Sequence, residues 1–441
     1  MAAWTQLSTS TDRDRTPRGA EPVRSRPASS YGPDPSVEAR AVALAREAGR
    51  SGRLPERLKP DHVSALQRLA GNGAVAELLS PHAVRVQRDV DAFLAGTAGG
   101  KAMSGSLGTT SGKQPITAHF FPGASKERAL VVGGVHGSEV SGVAVAEELI
   151  RRLSLPTARK PFFSVVVVPS LFPDNVEARR AFEATIKGKV TPAEYAKRAA
   201  AAGDPGRKTP GEEDPNRQMP LPGTDFDPKN PRDAAGRLIE AENQALLTLI
   251  QKFQPTRIAS LHAIKNVNRA GVFADPHPDA TGVDPALAAR TDLLALTIAR
   301  RVKELGGRVA GNRLGTKGET SLYPGQDPKQ SKEQIERENK KGTSLGQWGP
   351  PRGISVLTIE MPEQYDTASP VTDAGRAKEI ESRAEALEEI FLGPTPEAMV
   401  DALIESMKAT AGAIGSAAGA AAGAVGAAVE SLGIGGSRNA P

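Results

Sequence analysis

The chain contains no cysteine, which removes disulfide frameworks, thiolate nucleophiles and cysteine-based zinc sites from consideration. Aromatic residues are sparse at 4%. The formal charge of +5 comes from Lys and Arg mixed among nearly as many acids. With no basic run interleaved with aromatics, no nucleic-acid partner is expected. Histidine is scarce as well: His62, His82, His119, His136, His262 and His277 are all there are. Any transition-metal site must therefore be built from these six and from Asp or Glu. Two of them, His62 and His82, fall in an N-terminal region that does not read like a catalytic core.

Long apolar runs are also missing. No continuous apolar segment precedes the charges of the first 27 residues, so the N-terminus is not a recognisable secretory signal and the cytoplasm is the expected place of synthesis. The uncharged stretch 411–429 is mostly alanine and glycine. Alanine contributes little apolar area and glycine exposes backbone, which favours a flexible or weakly helical tail over a membrane-associated helix. Against that, Gly415, Gly419 and Gly423 have the spacing that lets helices approach closely in lipid.

What is abundant is glycine (45) and proline (35), concentrated near the two ends and in a few internal loops. This pattern divides the chain into a disordered start (1–35), a helical leader or docking segment (36–97), a large core (98–395) and a helical, Gly/Ala-rich tail (396–441). Within the leader, Val63, Leu66, Leu69 and Ala70 recur at helical spacing before Gly71-Asn72-Gly73 interrupts. Within the core, the apolar runs 129–132 and 162–168 read as buried strands flanking an amphipathic helix over 139–152. That order predicts a parallel crossover unit. Runs at 257–261 and 354–359 supply further strands, and 377–392 and 396–408 read as helices. The expected class is α/β, with a mostly parallel or mixed central sheet flanked by helices.

The chemistry gathers at strand ends. His136 and Glu139 follow the run 129–132 in GGVHGSEVSG, and Gly137 lets the turn fold so that both side chains address one cation. His262 follows the run 258–261 and brings a third ligand from another element. Two imidazoles and one carboxylate leave a zinc coordination position open. His277, in ADPHPD, reads as a loop residue.

Taken together, these motifs resemble the zinc metallocarboxypeptidase superfamily, which also embraces succinylglutamate desuccinylases and aspartoacylases. The resemblance covers most of residues 115–370, and the long interval from Glu139 to His262 favours the peptidase branch. It implies one Zn²⁺ per chain on His136, Glu139 and His262. Asp214-Pro215-Asn216-Arg217 is similar to the family's substrate-carboxylate segment, with Asn216 and Arg217 as the clamp and Asp214 shaping the loop. Glu360, in SVLTIEMP, resembles the catalytic glutamate, which passes a proton from water to the leaving nitrogen.

Other positions match less closely. LFPDNVEARRAF is similar to the region that holds an oxyanion-stabilising arginine, but it lacks the family's glycine after Pro173-Asp174-Asn175. Arg180 and Arg179 lead for that role, ahead of Arg198 and Arg207. Tyr323 matches a substrate-covering phenol, although the 37 residues to Glu360 exceed the family interval. Trp348 lines a side-chain pocket or packs on Pro350. A separate resemblance is carried by LQRLAGN at 66–72, AVAELL and VQR at 86–88. These are similar to leaders on proteins associated with extracellular contractile injection systems, which implies a contractile particle as partner and delivery as an effector. An ordinary amphipathic hairpin fits the same residues. The expected activity is metallocarboxypeptidase cleavage of a peptide. The alternatives are an amidase, a deacylase or cell-wall peptide hydrolase, and a non-catalytic delivered binding protein.

Overall fold

A computed structural model describes residues 81–394 apart from 187–189, 210–211, 276–281, 316–318, 320, 322, 324–336, 338–340 and 363–372. The chain divides into two compact units, Met1–Leu78 and Leu79–Pro441, and every described residue belongs to the second. The expected helical segments at 36–49, 61–79 and 396–408, the tail at 411–429 and His277 lie outside the described residues.

The first described element is helix α1, Pro81–Thr97. Its Val86, Val90 and Phe93 recur at helical spacing and are buried in the core. Residues 81–97 form the end of the expected leader or docking segment (36–97), and they fall within the compact unit that begins at Leu79. The reason is physical: three buried apolar side chains on one helix face cannot be withdrawn from the core without re-exposing them to water.

Strand β1 (Met103–Thr109) follows and pairs antiparallel with β2 (Pro115–Phe121). Strand β3 (Arg128–Val132), helix α2 (Val140–Leu153) and strand β4 (Ser164–Val168) then form the expected crossover, with β3 and β4 parallel and in contact. Helices α3 (Pro173–Thr185), α4 (Pro192–Ala201) and α5 (Ala241–Phe253) lead to strand β5 (Arg257–Ile264). A short edge strand, β6 (Gly271–Asp275), precedes helix α6 (Pro285–Glu304) and the single turn α7 (Leu345–Trp348). Strand β7 (Ser355–Pro362) and helix α8 (Asp373–Ala386), extended by a π turn over Leu387–Phe391, complete the described chain.

The sheet runs β1-β2-β4-β3-β5-β7-β6. Its centre, β4-β3-β5-β7, is parallel, while β2 and β6 pair antiparallel at its flanks. The fold is thus the expected α/β class with a mixed central sheet between helical layers. Strand alternation splits the core in two. Ile258 and Val356 face the layer holding α1 and α5, whereas Ala259, Leu261, Leu357, Ile359 and Met361 face the layer holding α2, α6 and α8. Among the described residues no helix is long and apolar enough to cross a membrane.

Candidate metal centre

Strand register sets the site. In the β5–β7 ladder, Ser260 lies opposite Thr358 and His262 opposite Glu360. Across the β7–β6 ladder, Gly271 lies opposite Glu360, Phe273 opposite Thr358 and Asp275 opposite Val356. Alternation puts Ser260, His262, Thr358, Glu360 and Asp275 on one face of three adjacent strands. His136 and Glu139 approach that face from the loop between β3 and α2. Two glycines allow the approach. A Cβ on Gly137 would sit 2.2 Å from the Asn175 carbonyl carbon, and one on Gly206, which has φ +79°, would meet the Asn175 oxygen at 2.3 Å.

His136, Glu139 and His262 are all buried, and one ligand atom from each lies within 4.8 Å of the others. His136 Nδ1 stands 2.9 Å from Glu139 Oε1, and His262 Nδ1 stands 2.9 Å from Glu139 Oε2. The other ring nitrogens are tied back. His136 Nε2 is 2.9 Å from Asp214 Oδ1, and His262 Nε2 is 3.0 Å from Ser260 Oγ. When those nitrogens carry the ring protons, both Nδ1 lone pairs face the Glu139 carboxylate, and acceptor faces acceptor until a positive charge enters.

Two features agree with that demand. Among the described residues His136 Nδ1 is buried with no hydrogen-bond partner in good geometry. Burial alone would lower the affinity of His136 for a proton, but Glu139 and Asp214 outweigh it and raise the pKa to about 9. The same carboxylates hold well below their ordinary range: burial opposes ionisation of Glu139, and the two imidazoles prevail. A nitrogen, nitrogen and carboxylate donor set of this kind fits zinc.

Glu360 stands beside the triad. Its Oε2 is buried and unpartnered among the described residues. Burial is the largest influence on its carboxyl, Glu139 adds repulsion and His262 opposes both, leaving the pKa at about 7. Tyr323 packs edge-on against Phe273 at 4.9 Å and hydrogen-bonds with Arg269. Burial, then the charge of Glu360, pushes its phenol up to about 12, so it is a proton donor at neutral pH. Arg217, on the 3₁₀ turn Pro215–Arg217, donates to the Asn216 carbonyl at 2.7 Å. That turn is set by Asp214, whose carboxylate accepts from the Asn216 N–H at 2.9 Å.

Three positions differ from expectation. Arg180 lies on the exposed side of α3, where it pairs with Glu147 at 3.4 Å. Arg179 is buried, but it is committed to Glu183 and Asp204 and stacks over Tyr195. The middle of α3 therefore commits both guanidiniums to carboxylates outside the His136, Glu139 and His262 cluster. Instead Arg207, half-exposed in the loop after α4, reaches Glu139 Oε1 at 2.5 Å and Asp214 Oδ2 at 3.8 Å. Trp348 does not line a pocket. It is fully buried in the core, its Nε1 donates to the Thr224 carbonyl at 2.8 Å, and Arg352 covers its ring.

Sequence reasoning also undervalued Asp214 and passed over Asp275. Asp214 orients the His136 imidazole as well as its own loop, and its carboxyl is held far below the usual range: burial opposes this, but the contact with His136 outweighs it. Asp275 accepts a hydrogen bond from Thr358 Oγ1, and burial lifts its carboxyl to about 6 despite the nearby His262 and Arg217. The signal that finds Asp275 is parity on β6, a strand the sequence pattern did not reveal.

No protein-family profile and no curated protein matches this chain. Among solved structures, a metallo-carboxypeptidase from Burkholderia cenocepacia is similar over 67% of this chain and 67% of its own, with 15% identity and a TM-score of 0.42. A metallo-carboxypeptidase from Pseudomonas aeruginosa is similar over 68% of this chain and 66% of its own, with 18% identity and a TM-score of 0.42. The murein-tripeptide amidase MpaA from Escherichia coli O157 is similar over 64% of this chain and 91% of its own, with 18% identity and a TM-score of 0.34.

Proposed function

We propose that this chain is a zinc-dependent metallocarboxypeptidase that hydrolyses the last peptide bond of its substrate. One observation carries the reading: two buried imidazoles and a carboxylate converge on one point, beside the Glu360 carboxyl, one of whose oxygens is buried with no partner among the described residues. His136, Glu139 and His262 would hold the metal. Bound zinc would supply Lewis acidity toward the scissile carbonyl and activate the attacking water.

The chain's own groups do the rest. Glu360, with a pKa of about 7, is poised both to accept a proton from water and to return it to the leaving nitrogen. Arg217 offers a planar fork to the terminal carboxylate, with the Asn216 amide beside it. Arg207 touches Glu139 yet keeps 39% of its side chain exposed, so it is the arginine within reach of a developing oxyanion. Tyr323, protonated across the working range, donates a hydrogen bond from the edge of the site.

Kinetics on two substrates tests the reading. The zinc-loaded protein is expected to cleave a peptide with a free C-terminus and to lose most kcat/KM when that carboxylate is amidated, with Arg217→Ala losing the same discrimination. Equal cleavage of both forms would replace the exopeptidase reading with an amidase one. The N-terminal 78 residues remain a proposed docking segment for a contractile particle, testable by whether their removal abolishes recovery of the protein in isolated particles.

A further inference from the structure

The turn that carries the proposed carboxylate clamp is braced by groups that the proposed reaction does not use. Within Pro215–Arg217 some ties are local: the Arg217 N–H donates to the Asp214 carbonyl at 2.9 Å, and the Asn216 N–H donates to the Asp214 carboxylate at 2.9 Å. Two others come from elsewhere in the chain. Buried Asn243, on α5, donates from Nδ2 to the Pro215 carbonyl at 2.9 Å. Arg237 Nη2 donates to the Arg217 carbonyl at 2.9 Å. Gly342 leaves room for that contact, because a Cβ there would lie 2.0 Å from the Arg217 oxygen and 2.7 Å from Arg237 Nη2.

Arg237 is itself fixed. Its Nε donates to Asp233 Oδ2 at 2.7 Å, its backbone N–H donates to Asp233 Oδ1 at 2.8 Å, and its Nη1 pairs with Glu213. The Asp233 side chain is fully buried, which anchors the whole group. A guanidinium that already faces two carboxylates competes poorly for a third, so Arg237 is not a second clamp for substrate. Stapling its own turn to Asp233 needs only Nε and the backbone N–H. The Nη2 contact reaches 20 residues back along the chain to Arg217 and serves a different purpose. A planar fork grips a carboxylate through two parallel hydrogen bonds, so a small rotation of the backbone that carries it forfeits one of them.

We propose that Arg237 is a positioning residue: by holding the Arg217 carbonyl, it fixes the direction in which the Arg217 guanidinium meets the terminal carboxylate of a peptide. The proposal rests on the carboxypeptidase reading of the site. Arg237 acts through Arg217 on the binding of a free C-terminus and takes no part in proton transfer at Glu360.

The experiment uses the zinc-loaded full chain and one peptide in two forms, with a free and with an amidated C-terminus. For the wild-type protein, R237Q, R237K and R217A, kcat and KM are measured beside zinc content and thermal midpoint. R237Q is expected to raise KM for the free form roughly tenfold or more with little change in kcat, and to leave the amidated form unaffected. The preference for a free carboxylate then shrinks by the same factor. R237K, which keeps the charge but not the planar fork, should fall between wild type and R217A. A merely structural Arg237 would depress both forms together and leave the preference intact, which overturns the proposal. If R237Q is not recovered folded, R237K decides alone: a preference equal to that of the wild type overturns the proposal, and an intermediate one supports it. A preference that survives in R237Q but vanishes in R217A overturns the positioning role and leaves the clamp standing. No preference in the wild-type protein, or cleavage of neither form, overturns the reading of the site and the positioning role with it.

Discussion

The two faces of strands β5 and β7 share one backbone and do opposite work. On one face, Ser260, His262, Thr358 and Glu360 line up in register, polar beside polar. On the other, Ala259, Leu261, Leu357, Ile359 and Met361 are buried among the side chains of α2, α6 and α8. A strand buried on both sides is ordinarily apolar on both. The polar face departs from that pattern at the C-terminal ends of the parallel strands, where the loop carrying His136 and Glu139 arrives. Chemistry and packing are separated by strand alternation rather than by distance along the chain, so neighbouring residues should respond differently to the same truncation.

The largest contrast is between Glu360 and the residue before it. Glu360→Gln keeps the shape but removes the carboxylate, and turnover is expected to fall by about 10²-fold or more while zinc content is unchanged. Saturating peptide kinetics together with metal analysis checks this, and near-normal turnover would break the division of labour. Ile359→Ala removes a fully packed side chain from the opposite face, and a loss of about 2–5 kcal/mol in urea unfolding is expected, with the metal site retained. Loss of zinc in the folded Ile359 variant would show that the faces are coupled.

The N-terminal boundary sharpens the same comparison. Removing residues 1–78 takes away none of the described core, and hydrolysis should persist. Removing 1–97 also strips Val86, Val90 and Phe93 from the polar-face layer. At about 1.5–3 kcal/mol for each buried side chain, that cut is expected to collapse or severely destabilise the domain. Thermal unfolding of both truncations decides it, and equal midpoints would return α1 to the leader.

The smallest effect expected is one of pH. Glu242, in the first turn of α5, has its carboxyl lifted by burial from about 4.5 to about 7. The folded state therefore binds more protons than the unfolded state between those values, and stability must fall as pH rises through that window, on the order of 1 kcal/mol per unit. Glu242→Gln should flatten this slope, which denaturant midpoints at pH 5 and 8 would reveal. An unchanged slope would place the titration elsewhere.

Much of this was legible in the sequence. The runs near β3, β4, β5 and β7 are short, β-branched and bounded by Gly or Pro, and the crossover over α2 follows from their order. The cluster of His136, Glu139 and His262, with Glu360 beside it, could be singled out because each residue sits at or just after the end of an apolar run. The edge strands were not, since MSGSLGT in β1 and GVFAD in β6 contain little to separate them from loops. Helix α6 carried a readable start in Asp284-Pro285, whose Asp side chain caps the Ala286 N–H, but its apolar stripe is interrupted by Arg290, Asp292 and Arg300. The choice among arginines could not be settled by alignment to a motif, because Arg207 reaches Glu139 through a loop whose path depends on Gly206 packing beneath Asn175. Asp275 needed the register of β6 against β7, which is a tertiary fact.

The most direct test of the central claim is anomalous diffraction at the zinc edge on crystals of the zinc-loaded protein. The account predicts one strong peak per chain, coordinated by His136 Nδ1, a Glu139 carboxylate oxygen and His262 Nδ1, with Asp214 and Ser260 still behind the two imidazoles. A peak held by other side chains, or none at all under saturating zinc, would contradict it.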